Sequence, residues 1–161
     1  ICIPAVLHPL RKSGIHSTER SDTEIITLFQ NTNEIWKQAG ITFEATVEEA
    51  QTSDNSAPLT IGAYPFINPL ITVSESETLH VYFVRDLAGA NGWTVGSTHV
   101  AVADVTTVDD FRTIAHEIGH ILGLGHASED GTLMQSGYNG QTLSGGEIEQ
   151  ARRRGLEFTG C

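Results

Sequence analysis

His116-Glu117-Ile118-Gly119-His120-Ile121-Leu122-Gly123-Leu124-Gly125-His126 is the stretch on which the reading of this chain turns. Residues four apart on a helix share a face, with Cβ atoms about 5–6 Å apart, so His116 and His120 can both reach one metal ion at the roughly 2.0–2.1 Å of a zinc–nitrogen bond. Glu117 follows the first of them, outside the coordination shell but within reach of water at the metal, which makes it the candidate general base. Glycine accepts the left-handed backbone that ends a helix and turns the chain back, so Gly123 lets His126 face the same ion. Three neutral imidazoles with an open, water-filled fourth position describe a catalytic zinc site, because structural sites close that position with protein. One Zn2+ is the expected cofactor.

The whole pattern, His-Glu-x-x-His-x-x-Gly-x-x-His, resembles the long zinc signature of the metzincin metallopeptidases at every fixed position. Met134, the only methionine, stands eight residues after His126 in Gly131-Thr132-Leu133-Met134-Gln135-Ser136-Gly137 and resembles the Met-turn of that clan. The resemblance implies a zinc-dependent endopeptidase acting on peptide or protein substrates. Its alternative is a latent or non-catalytic zinc-binding recognition domain, against which the retained Glu117 speaks, since ligation alone needs no base there. A gluzincin arrangement with Glu147 or Glu149 as third ligand is disfavoured by His126 at the metzincin offset.

The same resemblance implies an α/β fold: a twisted, mostly parallel five-stranded sheet, two long helices, a zinc cleft, and a small C-terminal part with the Met-turn and a last helix. It gives one catalytic domain over 1–161, divided into 1–123 and 124–161. Its substrate-binding edge strand would lie at Gly92, Trp93, Thr94, Val95, Gly96 and Ser97, where a peptide could add a strand by backbone hydrogen bonds. Some metzincins use a Tyr two residues beyond the Met; here that position is Ser136, and Tyr138 stands two places further on as a weaker oxyanion helper. Calcium is a common accessory ion of the clan, and Asp104, Glu129 and Asp130 are the carboxylates available, without a loop of regular oxygen ligands. Ala127 and Ser128 follow the third histidine and leave the subfamily open between matrixin-like and pappalysin-like.

At 161 residues the chain has single-domain length and can bury a core unaided. Twenty acidic against nine basic residues give a net charge of -11, which opposes nucleic acid and anionic membrane surfaces as partners. No apolar run approaches the 18 or more residues of a membrane span, and a soluble monomer is expected. Cys2 and Cys161 sit at the extremes of a chain whose ends often meet, so a disulfide between them is plausible and would place the protein in a secreted or extracytoplasmic setting. The loop it closes would be worth about 5 kcal/mol in the chain-entropy account. The rival role for Cys2 is a zinc-blocking thiolate, which would leave Cys161 without a partner. The start at Ile1 reads as a trimmed or processed form.

Outward from the motif, Thr106 and Thr107 with Asp109 and Asp110 are expected to start the zinc-binding helix, and Phe111, Ile114, Ala115, Ile118 and Leu122 to anchor it. Ile3–Leu7 reads as a first strand, Ser21-Asp22-Thr23-Glu24 as a capping box, and Gly40 as the cap closing the helix that follows. Ile41, Phe43, Ala45 and Val47 alternate with polar residues as a half-buried strand does, as do Leu79, Val81 and Phe83 with His80 and Tyr82. Val100, Val102 and Val105 predict a strand covered on both faces. Residues 49–77 read as a long surface excursion with a short strand near 59–64. Ser144-Gly145-Gly146-Glu147 opens a final helix packed through Ile148, Ala151 and Leu156. His8, His16, His80 and His99 lack ligand spacing and are expected at the surface or packed on strands.

Overall fold

In the computed structural model, residues 1–50, 77–158 and 160–161 are described. The excursion expected over 49–77, with its strand near 59–64, therefore lies almost wholly outside the described residues.

A five-stranded sheet carries the fold, in the order β2-β1-β3-β5-β4. Its strands are β1 (Cys2–Pro9), β2 (Thr42–Val47), β3 (Leu79–Val84), β4 (Gly92–Val95) and β5 (His99–Ala103). β1 pairs in parallel with both β2 and β3, β3 pairs in parallel with β5, and only β4 runs antiparallel, along the outer edge of β5. The first strand is longer than Ile3–Leu7 because His8 and Pro9 still pair with Tyr82 and Phe83 of β3.

Helix α1 (Asp22–Trp36) begins at Ser21 with the expected reciprocal cap: the Glu24 backbone N–H donates to Ser21 Oγ, and Glu24 accepts from the Ser21 backbone N–H. A short 3-10 turn over Lys37–Ala39 leads to Gly40, whose φ of +62° lets the chain reverse into β2. Helix α2 (Asp110–Ile121) carries the motif, and α3 (Gly145–Gly155) opens with a second reciprocal cap between Ser144 and Glu147.

Because side chains alternate along a strand, each sheet face has its own core. On one face Ile3, Leu7, Phe43, Val81, Phe83, Val100 and Val102 meet Ile25, Phe29 and Trp36 of α1 and Ile114, Ala115 and Ile118 of α2. On the other, Leu10, Tyr82, Val84, Val95, Ala101 and Ala103 form a smaller cluster. The alternation in β3 was therefore only half informative: His80 and Tyr82 are as buried as their apolar neighbours. Three further expectations need correction. Ala45 is exposed on β2, the edge strand of the sheet among the described residues. Val105 is 83% exposed, since β5 stops at Ala103 and the chain turns toward α2. Leu156 is 72% exposed, just past the last turn of α3, whose contact with the core is made by Ala151 and, as expected, Ile148, with Gly155 buried beside them.

Arg20 secures the start of α2. Its guanidinium is buried, 2.9 Å from Asp110 and 3.4 Å from Asp104, whose carboxylate also accepts from Thr18 Oγ1 and the Glu19 N–H. The N-cap is Asp109 without a side-chain cap, and Thr106 contributes by donating to Asp110 rather than by capping the helix end itself. Cys2 and Cys161 form a disulfide, with Cα atoms 5.5 Å apart, so Cys2 has no thiolate to offer a metal.

Candidate metal centre

The last two turns of α2 present His116 and His120 on one face, and the chain breaks at Gly123, whose φ is +83°. His126 then comes back toward the helix, held by a hydrogen bond from the Ala127 N–H to the Met134 carbonyl, 2.9 Å. Ring centroids are 4.8 Å apart for His116–His120, 5.3 Å for His116–His126 and 4.8 Å for His120–His126. One ligand nitrogen from each lies within 4.8 Å of the other two.

Orientation is set by the backbone. His116 Nδ1 donates to the Leu133 carbonyl at 2.8 Å, and His120 Nδ1 donates to the Leu124 carbonyl at 2.9 Å. Each bond holds the proton on Nδ1 and leaves the Nε2 lone pair for a metal. Burial is the main reason that the His116 pKa falls to about 4, against the opposing pull of the Leu133 carbonyl, and burial also lowers that of His126. Imidazoles that converge on one point are the donor set a zinc ion takes in its ligands' neutral form. The residues present fit that ion.

Met134 lies fully buried beneath this arrangement. A Cβ on Gly119 would come 2.5 Å from Met134 Sδ, so the helix and the methionine turn approach as closely as they do only because residue 119 is glycine. The carbonyl of Leu133, one residue earlier, is the acceptor that orients His116.

Glu117 faces β4. Thr94 Oγ1 lies 2.8 Å from Glu117 Oε2 and 2.9 Å from the Glu117 carbonyl, and a Cβ on Gly92 would come 2.8 Å from Glu117 Cγ. Burial pushes the Glu117 pKa up, while the Thr94 hydroxyl pulls it down. A cavity of about 220 Å³ opens beside Glu117 and His116, walled by Gly92, Arg112, Thr113, Ser136 and Gly137. Of the six residues named for an edge strand, Gly92–Val95 form β4, whereas Gly96 and Ser97 belong to the turn after it.

Other named residues are dispersed. Tyr138 is 60% exposed, beyond the cavity wall. The calcium candidates do not converge: Asp104 is engaged by Arg20 and Thr18, Asp130 accepts from Gln135 Nε2, and neither joins Glu129 in a group of metal-ligating atoms among the described residues. Glu147 is occupied at its helix cap. Three of the four histidines without ligand spacing, His8, His80 and His99, are packed on strands, as expected, and come together across the sheet.

Two residues of functional weight were not picked out for their roles. Thr94 was placed on the edge strand without its bond to Glu117. Arg112, which donates to three carbonyls of the segment around Met134, was not singled out at all. A signal existed for it: Arg112 stands four residues before His116, on the face that the motif itself defines.

Known proteins share this architecture. The matrixin family matches residues 16–157. Metalloendoproteinase 5-MMP of Arabidopsis thaliana is 41% identical over 51 residues, covering 30% of this chain and 14% of its own length. Matrix metalloproteinase-21 of Xenopus laevis is 33% identical over 75 residues, covering 42% of this chain and 12% of its own. The chain thus spans only a small part of these longer relatives. Among solved structures, mirolysin superposes with a TM-score of 0.70 at 15% identity, covering 96% of this chain and 95% of that one. Metalloproteinase-II from Bacteroides fragilis gives 0.69 at 17% identity, covering 95% and 52%, and archaemetzincin from Methanopyrus kandleri gives 0.63 at 13% identity, covering 94% of each. At such identities the likeness is one of fold, and it is the metzincin-type fold of a mostly parallel five-stranded sheet with helices.

Proposed function

The chain belongs to the matrixin family, and from that premise we propose that it is a zinc-dependent endopeptidase in which His116, His120 and His126 hold one catalytic ion and Glu117 is the general base. The observation that carries this reading is the convergence of three imidazole nitrogens within 4.8 Å of one another, with the Glu117 carboxylate on the adjoining residue of the same helix. When bound there, zinc supplies Lewis acidity, bringing water toward a pKa of about 7 and polarising a carbonyl.

The protein's own groups do the rest. Among the described residues β4 is the outermost strand, so its outer edge can offer backbone donors and acceptors to an extended peptide laid alongside it. Glu117 Oε2 is held by the Thr94 hydroxyl, which leaves Oε1 to accept a proton from the attacking water. That proton then passes to the leaving amine as the peptide bond breaks. Desolvation of Glu117 raises its basicity toward what such a transfer needs. Met134 supports the histidine face from below, and the cleft divides residues 1–123 from 124–161 of one catalytic domain.

An extracytoplasmic setting is part of the proposal, supported by the Cys2–Cys161 disulfide. No described helix is long and apolar enough to cross a membrane.

Incubating the protein with a mixed peptide library, with and without a chelator, tests the reading. Chelator-sensitive internal cleavage is expected, and Glu117→Ala should retain zinc while losing on the order of 10²–10⁴-fold in rate, the usual span for a general base. Cleavage by that variant at the wild-type rate would remove Glu117 from the role. A protein that binds zinc and cleaves nothing would be a metal-binding recognition domain.

A further inference from the structure

The cavity beside His116 and Glu117 contains two buried polar groups whose hydrogen bonding is incomplete. Arg112 is 2% exposed. A guanidinium carries five N–H donors. Nε donates to the Gly140 carbonyl at 3.1 Å, and Nη2 donates to the carbonyls of Leu133, at 2.5 Å, and Gln135. The donors on Nη1 find no acceptor among the described residues, and Arg112 enters none of the ion pairs there. Thr113, one residue on and 2% exposed, has a hydroxyl oxygen that is buried with no partner. Both residues line the cavity.

The Thr113 hydroxyl has lost hydration without gaining a partner, and the Arg112 guanidinium, tied to three carbonyls and drawn by the Glu117 carboxylate, still has the Nη1 donors for a further acceptor. Glu117 is the one acid in the cavity wall, and its Oε2 is engaged by Thr94. A carboxylate entering from the substrate would complete the guanidinium with charge and paired acceptor oxygens together, which a carboxamide or an alkyl chain cannot do. The net charge of -11 works against acidic peptides at a distance, but that field is screened beyond about 8–10 Å at physiological salt, so the local cation decides what the cavity holds.

We propose that this cavity is a specificity pocket for an acidic side chain, aspartate or glutamate, of the residue flanking the scissile bond, with Arg112 Nη1 and the Thr113 hydroxyl donating to its carboxylate. The pocket is a refinement of the peptidase reading and rests on it for the word substrate; its selectivity for carboxylate can be measured without cleavage.

Peptides identical except for Glu, Gln or Leu, placed on each side of the cleaved bond in turn, test the selectivity on the wild-type protein. Glu should exceed both others by about tenfold or more in kcat/KM at one of the two positions. Equal cleavage, or preference for Leu, overturns the proposal and leaves the peptidase reading intact. Arg112→Met should collapse the Glu-to-Gln ratio; because Arg112 also ties down the segment after Met134, Thr113→Val is the second variant, expected to lower the ratio severalfold. In a separate arm, short peptides ending or beginning in Glu or Gln are titrated against the zinc-free protein by calorimetry. Glu peptides should bind about tenfold more tightly, and equal affinity overturns the proposal. Preference in binding without any cleavage would sustain the pocket and sink the peptidase reading.

Discussion

Two sets of three histidines are built into this chain, and they differ in almost everything except composition. His120 meets His116 and His126 at steep angles, 86° and 69°, while those two lie at 23° to each other, and one nitrogen of each ring comes within 4.8 Å of the other two. His8, His80 and His99 come from adjacent strands β1, β3 and β5 and stack nearly flat, at 14° and 15°, with His8 Nε2 3.0 Å from His80 Nδ1 and Tyr82 stacked on His8. In the first set each orienting bond goes to a backbone carbonyl, which leaves a lone pair for an ion. In the second the rings bond to one another or to Glu48 and Thr98 and present faces rather than lone pairs. Direction of the nitrogen, not burial or residue type, separates the proposed metal site from the packed layer.

The sharpest way to break this contrast is to remove one ring from each set. Structural zinc sites are worth about 10–16 kcal/mol over their ligands, so His126→Ala should weaken zinc by at least about 100-fold, while His99→Phe should leave the measured zinc affinity unchanged. Equal losses in a competition assay with a chelating dye would erase the distinction.

Acid should act on the stacked set through stability. Burial, with smaller contributions from His80 and His8, lowers the His99 pKa to about 4, and burial likewise lowers those of His8 and His80. The unfolded chain takes up protons below about pH 6.5 that the folded stack refuses. This stability is therefore fully present above 6.5 and lost as pH falls toward about 4, on the order of 3 kcal/mol for His99, which is 6% exposed. Urea midpoints across that window, for the wild type and His99→Phe, check it: the variant should show the shallower dependence.

Much of this was readable along the chain and some was not. His116, Glu117, His120 and the turn at Gly123 obey a helical period within eleven residues, so their geometry is a local consequence of sequence; the caps at Ser21 and Ser144 are equally local. The parallel order β2-β1-β3-β5 joins residues tens of positions apart, and no short window holds it. Hence the stack of His8, His80 and His99, which depends on register across three strands, could not be foreseen from spacing. Arg20 and Arg112 escaped for a related reason, since the carboxylates and carbonyls they meet come from distant segments. Val105 and Leu156 misled because apolarity alone does not say where an element stops.

Two smaller effects sharpen the picture around the metal-facing set. Gly119→Ala would drive a Cβ into Met134 Sδ, and overpacking of this kind costs about 1–3 kcal/mol; a lowered thermal midpoint together with weakened zinc binding is expected, and an unchanged midpoint would show that the methionine yields freely. Thr94→Val removes the hydroxyl that holds Glu117 and should cost about 1 kcal/mol in the transition state, roughly fivefold in kcat with KM little changed, whereas Thr94→Ser should restore most of it.

X-ray absorption at the zinc edge of the purified protein addresses the centre itself. Three imidazole nitrogens and one oxygen ligand, at about 2.0–2.1 Å and without sulfur, are the expected shell. A shell with fewer than three imidazoles, or one containing sulfur, would contradict the assignment of His116, His120 and His126 as the ligands.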